Sequence, residues 1–405
     1  MDYGTRTTFT FHSAGQLIFG PHAISHLSEI ARRLRSKRVF VVTDKNLIQA
    51  GLFDAVRGHL SEAGVLVNIF DGGEPEPSLE MVNRCIRAAR LFEPDTLLGL
   101  GGGSNMDAAK LAAIMLKHGG DPRDYVGEDR VPGPVLPLIC VPTTAGTGSE
   151  VSAAAVFTDT EKQIKVSVLS QYLRPTAAVV DPLLTITCPP KVTADSGIDA
   201  LTHAIEAMTA VDNASYPVPP HERSVYQGKN PLADMVAEKA IRLIGQFLRR
   251  AVKDANDLEA REGMSLAATL GGLAFSNAGV ALVHAMEYPV GAVTHCSHGA
   301  GNGLLLPFVM RYNLSHRVGT FAEIARLLGE KVEGLTESQA AERAIQAVQQ
   351  LKLDIGIPAR LSDLGVKESD LASFSEKAFS IKRLMRVNPR FPTQDEIEAI
   401  YREAL

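Results

Sequence analysis

At 405 residues, with 45% hydrophobic and 21% charged side chains, the chain is long enough for two or three domains, each with its own core, of ordinary globular composition. A formal net charge of −5 and no long basic run argue against nucleic acid or an anionic membrane as the main partner. Four cysteines without CxxC spacing (Cys85, Cys140, Cys188 and Cys296) indicate neither a zinc ribbon nor a disulfide framework.

In chain order, TFTFHSAGQLIFG (8–20) alternates apolar and polar residues about a Ser-Ala-Gly break, which predicts two short strands or a hairpin. HAISHLSEIARRL then has helical spacing, and His12, His22 and His26 read as surface or packing residues. RVFVVTD (38–44) is a β-branched run leading into a helix. VLVNIFDGGEPEPS and LEMVNRCIRAARL repeat that strand-to-helix pattern, as does TLLGLGGGSNMDAAK; LPLICVPTTAGTGSE and AVVDP add two further strands. Such alternation predicts a parallel sheet with helices on both faces and ligands at the carboxyl ends of its strands.

After about residue 185 the β-branched runs stop and helical periodicity recurs from Val192, Leu232, Leu258, Ala300, Phe321, Glu337 and Asp395. The expected organisation is an α/β dinucleotide-binding domain over residues 1–185 and an all-helical, metal-binding and substrate domain over 186–405. DNASYPVPPHERSVYQGKNP (212–231), rich in proline and polar residues, reads as a long surface excursion carrying a solvated His221.

Two glycine-rich strand exits are fitted to an anion. Gly101, Gly102 and Gly103 lack Cβ atoms, so backbone N–H groups and a helix N-terminus can close on a phosphate. Ser104 and Asp107 have the spacing of a capping box. Three glycines can equally make a plain tight turn, but PTTAGTGSE leaves the neighbouring strand at the same sheet edge, which favours a pyrophosphate-bearing cofactor. Asp44, ending a strand, either accepts hydrogen bonds from a ribose diol, selecting NAD(H) over NADP(H), or merely caps the next helix. Glu76 adds negative charge nearby.

In GIDALTHAIEA, Asp199 and His203 stand four apart on one helix face, where such a pair is either a surface contact or two metal ligands. His284 and His298, from HAMEYPVGAVTHCSH, would complete one carboxylate and three imidazoles. That donor set suits a divalent transition metal with a position left for substrate oxygen. Cys296 reads as a small side chain rather than a ligand.

With GGGSNMDAAK, PTTAGTGSE and this constellation in view, the chain resembles the iron-containing (group III) alcohol dehydrogenase family, from QLIFG to NPRFPTQDEIEAIYREA. The resemblance implies an NAD-linked oxidoreductase of dehydroquinate synthase-like architecture that interconverts a small primary alcohol and its aldehyde. It implies Fe²⁺, with Zn²⁺ or another divalent ion compatible, on Asp199, His203, His284 and His298, the last preferred over His295 because HGAGNGLLLP matches the family motif. It also implies pyrophosphate at Gly101–Ser104, cofactor contacts from Thr143, Thr144, Thr147 and Lys165, and Asp44 as the selector for NAD. A cytoplasmic homodimer or higher homo-oligomer is expected.

One departure stands out. Where many members have a histidine thought to relay the alcohol proton, this chain has Tyr288, which either takes that role or only packs. Its YP sequence, with SVYQGKNPLAD, also resembles the hydroxyacid-oxoacid transhydrogenase branch, which oxidises 4-hydroxybutyrate while reducing a 2-oxoacid. A dehydroquinate synthase-like lyase would need lysines and arginines about the metal, and these stretches have none. The small, apolar LAFSNAGVALVH (273–284) is expected to line the substrate pocket.

Overall fold

The computed structural model describes residues 5–161, 164–218 and 224–405, so His221 lies outside the described residues. Two compact units form: His12–Cys188, and Pro189–Leu405 together with the described residues up to Phe11. The N-terminal segment thereby departs from a division at residue 185. Arg6 N–H donates to Ala214 O (3.1 Å) and Thr10 N–H to Gln227 Oε1 (3.0 Å).

In the first unit the strands are β1 (Leu17–Phe19), β2 (Arg38–Val42), β3 (Leu66–Phe70), β4 (Thr96–Gly101), β5 (Gly127–Glu128), β6 (Leu138–Pro142), β7 (Ala154–Asp159), β8 (Ile164–Leu169) and β9 (Ala177–Val180). Its helices are α1 (Leu27–Leu34), α2 (Lys45–Gln49), α3 (Leu52–Ser61), α4 (Leu79–Phe92) and α5 (Gly103–His118). Six strands form a parallel sheet in the order β1-β9-β6-β4-β2-β3. Successive side chains on a strand point to opposite faces, and here both faces are covered. Phe40, Val42, Leu97 and Cys140 pack with α4 and α5, whereas Val39, Val41, Leu98, Ile139 and Val141 pack with α1 and α3.

Strand order reverses between β2 and β4. From β2 the chain steps outward to β3, then returns across β2 to continue through β4, β6 and β9. A crevice at the strand carboxyl ends is the geometric consequence.

The predicted hairpin over 8–20 does not form. β1 pairs instead with β9, Leu17 opposite Ala178, some 160 residues away. A second small sheet, β5-β8-β7, was not anticipated; it includes an antiparallel pairing of β7 with β8.

The second unit is helical: α6 (Pro190–Thr209), α7 (Pro231–Lys253), α8 (Leu258–Ala278), α9 (Leu282–Thr294), α10 (His298–Asn313), α11 (Val318–Leu327), α12 (Glu337–Asp354), α13 (Leu371–Ser380), α14 (Lys382–Met385) and α15 (Gln394–Ala404). The described part of segment 212–231, residues 212–218 and 224–231, is not wholly the expected surface excursion. Asn213, Val225, Tyr226, Gln227 and Asn230 are buried, and Gln227 and Gly228 donate backbone hydrogen bonds to Asn277 O and Ala278 O at the end of α8. Among the described residues no single helix is long and apolar enough to cross a membrane.

Candidate active site

Glycines let three helices of the second unit converge. A Cβ on Gly299 would lie 2.0 Å from Asp195 O, one on Gly303 2.6 Å from Ile198 Cγ1, and one on Gly301 2.7 Å from Glu287 Cγ. Interaxial distance follows the side chains at the contact. Gly299 and Gly303 therefore admit α6 to one side of α10, and Gly301 admits α9. His298 and Asn302 of α10 are brought in this way against Asp199 and His203 of α6 and His284 of α9.

One donor atom each from Asp199, His284 and His298 lies within 4.8 Å of the others, a grouping able to hold a metal ion. His284 Nε2 is 3.9 Å and His298 Nε2 4.0 Å from Asp199 Oδ1. His203 stands beside them, with Nε2 3.8 Å from Asp199 Oδ2 and its ring stacked between Phe275 (4.3 Å) and His284 (4.9 Å). Burial opposes ionisation of Asp199, yet the imidazoles of His203, His298 and His284 and the Asn302 amide outweigh it and hold the carboxyl below its ordinary range. The donor set thus offers an ionised oxygen and imidazole nitrogens at one buried point, as a divalent transition ion requires.

Two buried carboxylates hold the rings. Glu206 Oε2 lies 2.6 Å from His284 Nδ1, and the same carboxylate accepts the backbone N–H groups of Ala281 (2.9 Å) and Val283 (2.6 Å). One side chain thereby caps the start of α9 and orients its histidine. Glu287 Oε2 contacts His298 Nδ1 in the same fashion. A carboxylate on Nδ1 turns Nε2 toward the shared point and raises its basicity. The signal was present in sequence as two H-x-x-E repeats, His203 to Glu206 and His284 to Glu287, in which each glutamate serves the next of the clustered histidines along the chain, His284 on α9 and His298 on α10. Asn302, four residues after His298, was likewise missed. Its Nδ2 lies 2.8 Å from Asp199 Oδ1, 3.2 Å from His284 Nε2 and 3.1 Å from His298 Nε2.

Glu206→Gln would keep the Oε1 acceptor for Val283 N–H but present an NH₂ group to the imidazole and to Ala281 N–H. We expect metal affinity to fall about 10- to 100-fold, read by anaerobic titration with a divalent transition ion; unchanged affinity would remove the carboxylate from this role.

His295 caps α9 in a left-handed conformation (φ 54°) and is exposed, and Cys296 is partly exposed. Tyr288, one turn after His284, is 7% exposed with its ring centre 6.0 Å from that of His298.

In the first unit, the glycine-rich exits of the adjacent strands β4 and β6 lie together. Thr143 N–H donates to Gly101 O (3.0 Å), and a Cβ on Gly102 or Gly103 would meet Thr144 Oγ1 (3.6 Å) or Thr147 Cγ2 (2.9 Å). The predicted capping box is not made. α5 begins at Gly103, Ser104 Oγ donates to Pro75 O, and Asp107 accepts from Ser149 Oγ (2.6 Å) and Val156 N–H (2.9 Å). Asp44 caps α2, accepting from Asn46 N–H (2.9 Å) and Leu47 N–H (3.2 Å). Lys165 Nζ lies 2.8 Å from Glu76 Oε1.

Comparison with known families supplies the decisive observation. Residues 14–182 match the model described as iron-containing alcohol dehydrogenase, and residues 221–405 that of the family's C-terminal domain. The chain belongs to the iron-containing alcohol dehydrogenase family. It is 42% identical to a 1,3-propanediol dehydrogenase of Klebsiella pneumoniae over 95% of this chain and 96% of that one. It is 36% identical to an NAD-dependent methanol dehydrogenase of Bacillus methanolicus, over 96% of this chain and 97% of the relative. A crystal structure of 1,3-propanediol oxidoreductase superposes with a TM-score of 0.91 at 40% identity, covering 98% of this alcohol dehydrogenase and all of that chain.

Proposed function

We propose that this alcohol dehydrogenase holds Fe²⁺ on Asp199, His203, His284 and His298 and interconverts a small primary alcohol and its aldehyde with NAD(H). The convergence of Asp199, His284 and His298 within 4.8 Å carries the reading. When bound, the ion supplies Lewis acidity to the substrate oxygen, a need set by the high pKa of an unaided aliphatic alcohol. Oxidation removes a hydride from the carbinol carbon to nicotinamide and the hydroxyl proton to a base or water, giving aldehyde, NADH and H⁺. Glu206 and Glu287 keep His284 and His298 oriented throughout. Phe275, stacked on His203, and the alanines and glycine of 273–284 favour a compact, uncharged substrate. Relatives named for methanol, lactaldehyde and 1,3-propanediol point the same way.

The turns at Gly101–Ser104 and at Thr143, Thr144 and Thr147 are assigned to the cofactor phosphates and nicotinamide side. Lys165, paired with Glu76, borders this edge. Asp44 is assigned to the adenosine ribose. Asp44→Ala should shift kcat/KM toward NADPH by roughly tenfold, the cost of a lost charged hydrogen bond, and a wild-type preference for NADPH would contradict the assignment.

Tyr288, within a ring's width of His298, is assigned to the proton path. A phenol that relays the proton acts in the chemical step, so Tyr288→Phe should lower kcat and alter its dependence on pH. An unaltered pH profile would leave it a packing residue. NADH oxidation with a panel of short aldehydes tests the whole reading, and 4-hydroxybutyrate with 2-oxoglutarate belongs in the panel. Turnover only with the hydroxyacid pair would replace it by the transhydrogenase reaction.

A further inference from the structure

We propose that Asn105 is a positioning residue that determines cofactor specificity by fixing the one free acceptor direction of Asp44; this rests on the assignment of NAD(H) to the strand ends. Asn105 is 3% exposed in the first turn of α5. Its Nδ2 donates to Asp44 Oδ2 (2.9 Å) and to Leu100 O (3.1 Å), tying the ends of β2 and β4 at the place where strand order reverses.

The amide is gripped from both sides. A Cβ on Gly73 would sit 2.1 Å from Asn105 Oδ1 and 2.8 Å from Thr43 O, and one on Gly101 would sit 2.2 Å from Asn105 Nδ2. Gly101 also has φ +141°, where a side chain is strained. Two glycines from different strand ends thus leave room for this amide in one orientation.

The count of lone pairs gives the consequence. Each carboxylate oxygen offers about two acceptor directions. Asp44 Oδ1 uses both on the N–H groups of Asn46 and Leu47, and Oδ2 uses one on Asn105. A single direction remains, on a carboxylate that cannot rotate. A ribose hydroxyl can donate there. A 2′-phosphate has no proton to give and meets a fixed negative charge.

The test is fluorescence titration of the full-length protein with NADH and with NADPH, comparing wild type, Asp44→Ala, Asn105→Ala and the isosteric Asn105→Asp, each checked by thermal unfolding. We expect Asn105→Ala to weaken NADH about tenfold, with NADPH unchanged or tighter, and Asn105→Asp, which sets a second negative charge beside Asp44, to weaken both nucleotides. The double variant Asp44→Ala/Asn105→Ala should discriminate no less than Asp44→Ala alone. Equal weakening of both nucleotides by Asn105→Ala, or a wild-type ratio in Asn105→Ala while Asp44→Ala lowers it, would overturn the role of Asn105 and leave the cofactor assignment standing. An Asp44→Ala ratio equal to wild type, or no nucleotide binding by any form, would remove the assignment itself and this inference with it.

Discussion

His284→Ala is expected to lose iron and to turn over at least roughly a thousandfold more slowly, well beyond the 10- to 100-fold typical of a lost supporting partner, while NADH still binds. The imidazole contributes one of three donor atoms that meet at a single buried point. Without it, the remaining carboxylate and rings cannot enclose an ion with the same number of bonds. The variant should fold, because Glu206 keeps its hydrogen bonds from Ala281 and Val283 N–H and α9 keeps its cap. The prediction is read by anaerobic metal analysis, by NADH oxidation with short aldehydes and by NADH fluorescence. Full iron content with full activity would place the metal elsewhere.

The second large effect is on stability. Lys110 of α5 is fully buried, and its Nζ reaches Ser149 O (2.7 Å), Ser149 Oγ (2.9 Å), Ser152 O (3.1 Å), Ser152 Oγ (3.1 Å) and Ala154 O (2.8 Å). Desolvation lowers its pKa, opposed by the nearby carboxylate of Asp107. Lys110→Met fills the same space but leaves these acceptors without their donor in a dry interior. A loss of about 3–5 kcal/mol follows, comparable to breaking a buried ion pair, and a fall in Tm of roughly 10 °C. Because Ser149 follows directly on the turn holding Thr147, cofactor affinity should fall in parallel. A Tm within a degree or two of wild type would mean that the loop is held by other contacts.

The central features were readable because they rest on local patterns. The β-branched run of RVFVVTD reads as a strand leading into a helix, and the carboxylate and imidazole of GIDALTHAIEA share a helix face by spacing alone. Long-range pairing was not readable. The alternation in 8–20 suggested a hairpin because its true partner, β9, is not a sequence neighbour, and the prolines and polar residues of 212–231 concealed a buried stretch in which Gln227 and Gly228 N–H donate to the end of α8. Capping chemistry misled in a similar way, since Ser104 and Asp107 have capping-box spacing but spend their side chains on Pro75, Ser149 and Val156. Glu206 and Glu287 escaped notice because their partners stand on other helices. Only the doubled H-x-x-E spacing betrays them.

The assignment of function depends on where the ion sits, and an anomalous diffraction map at the iron edge from crystals grown with Fe²⁺ and NADH addresses that directly. The predicted result is one peak per chain, about 2.0–2.3 Å from Asp199, His284 and His298 and within coordinating reach of His203. A peak at any other group of side chains, or none at these residues in protein that turns over aldehyde, would contradict it.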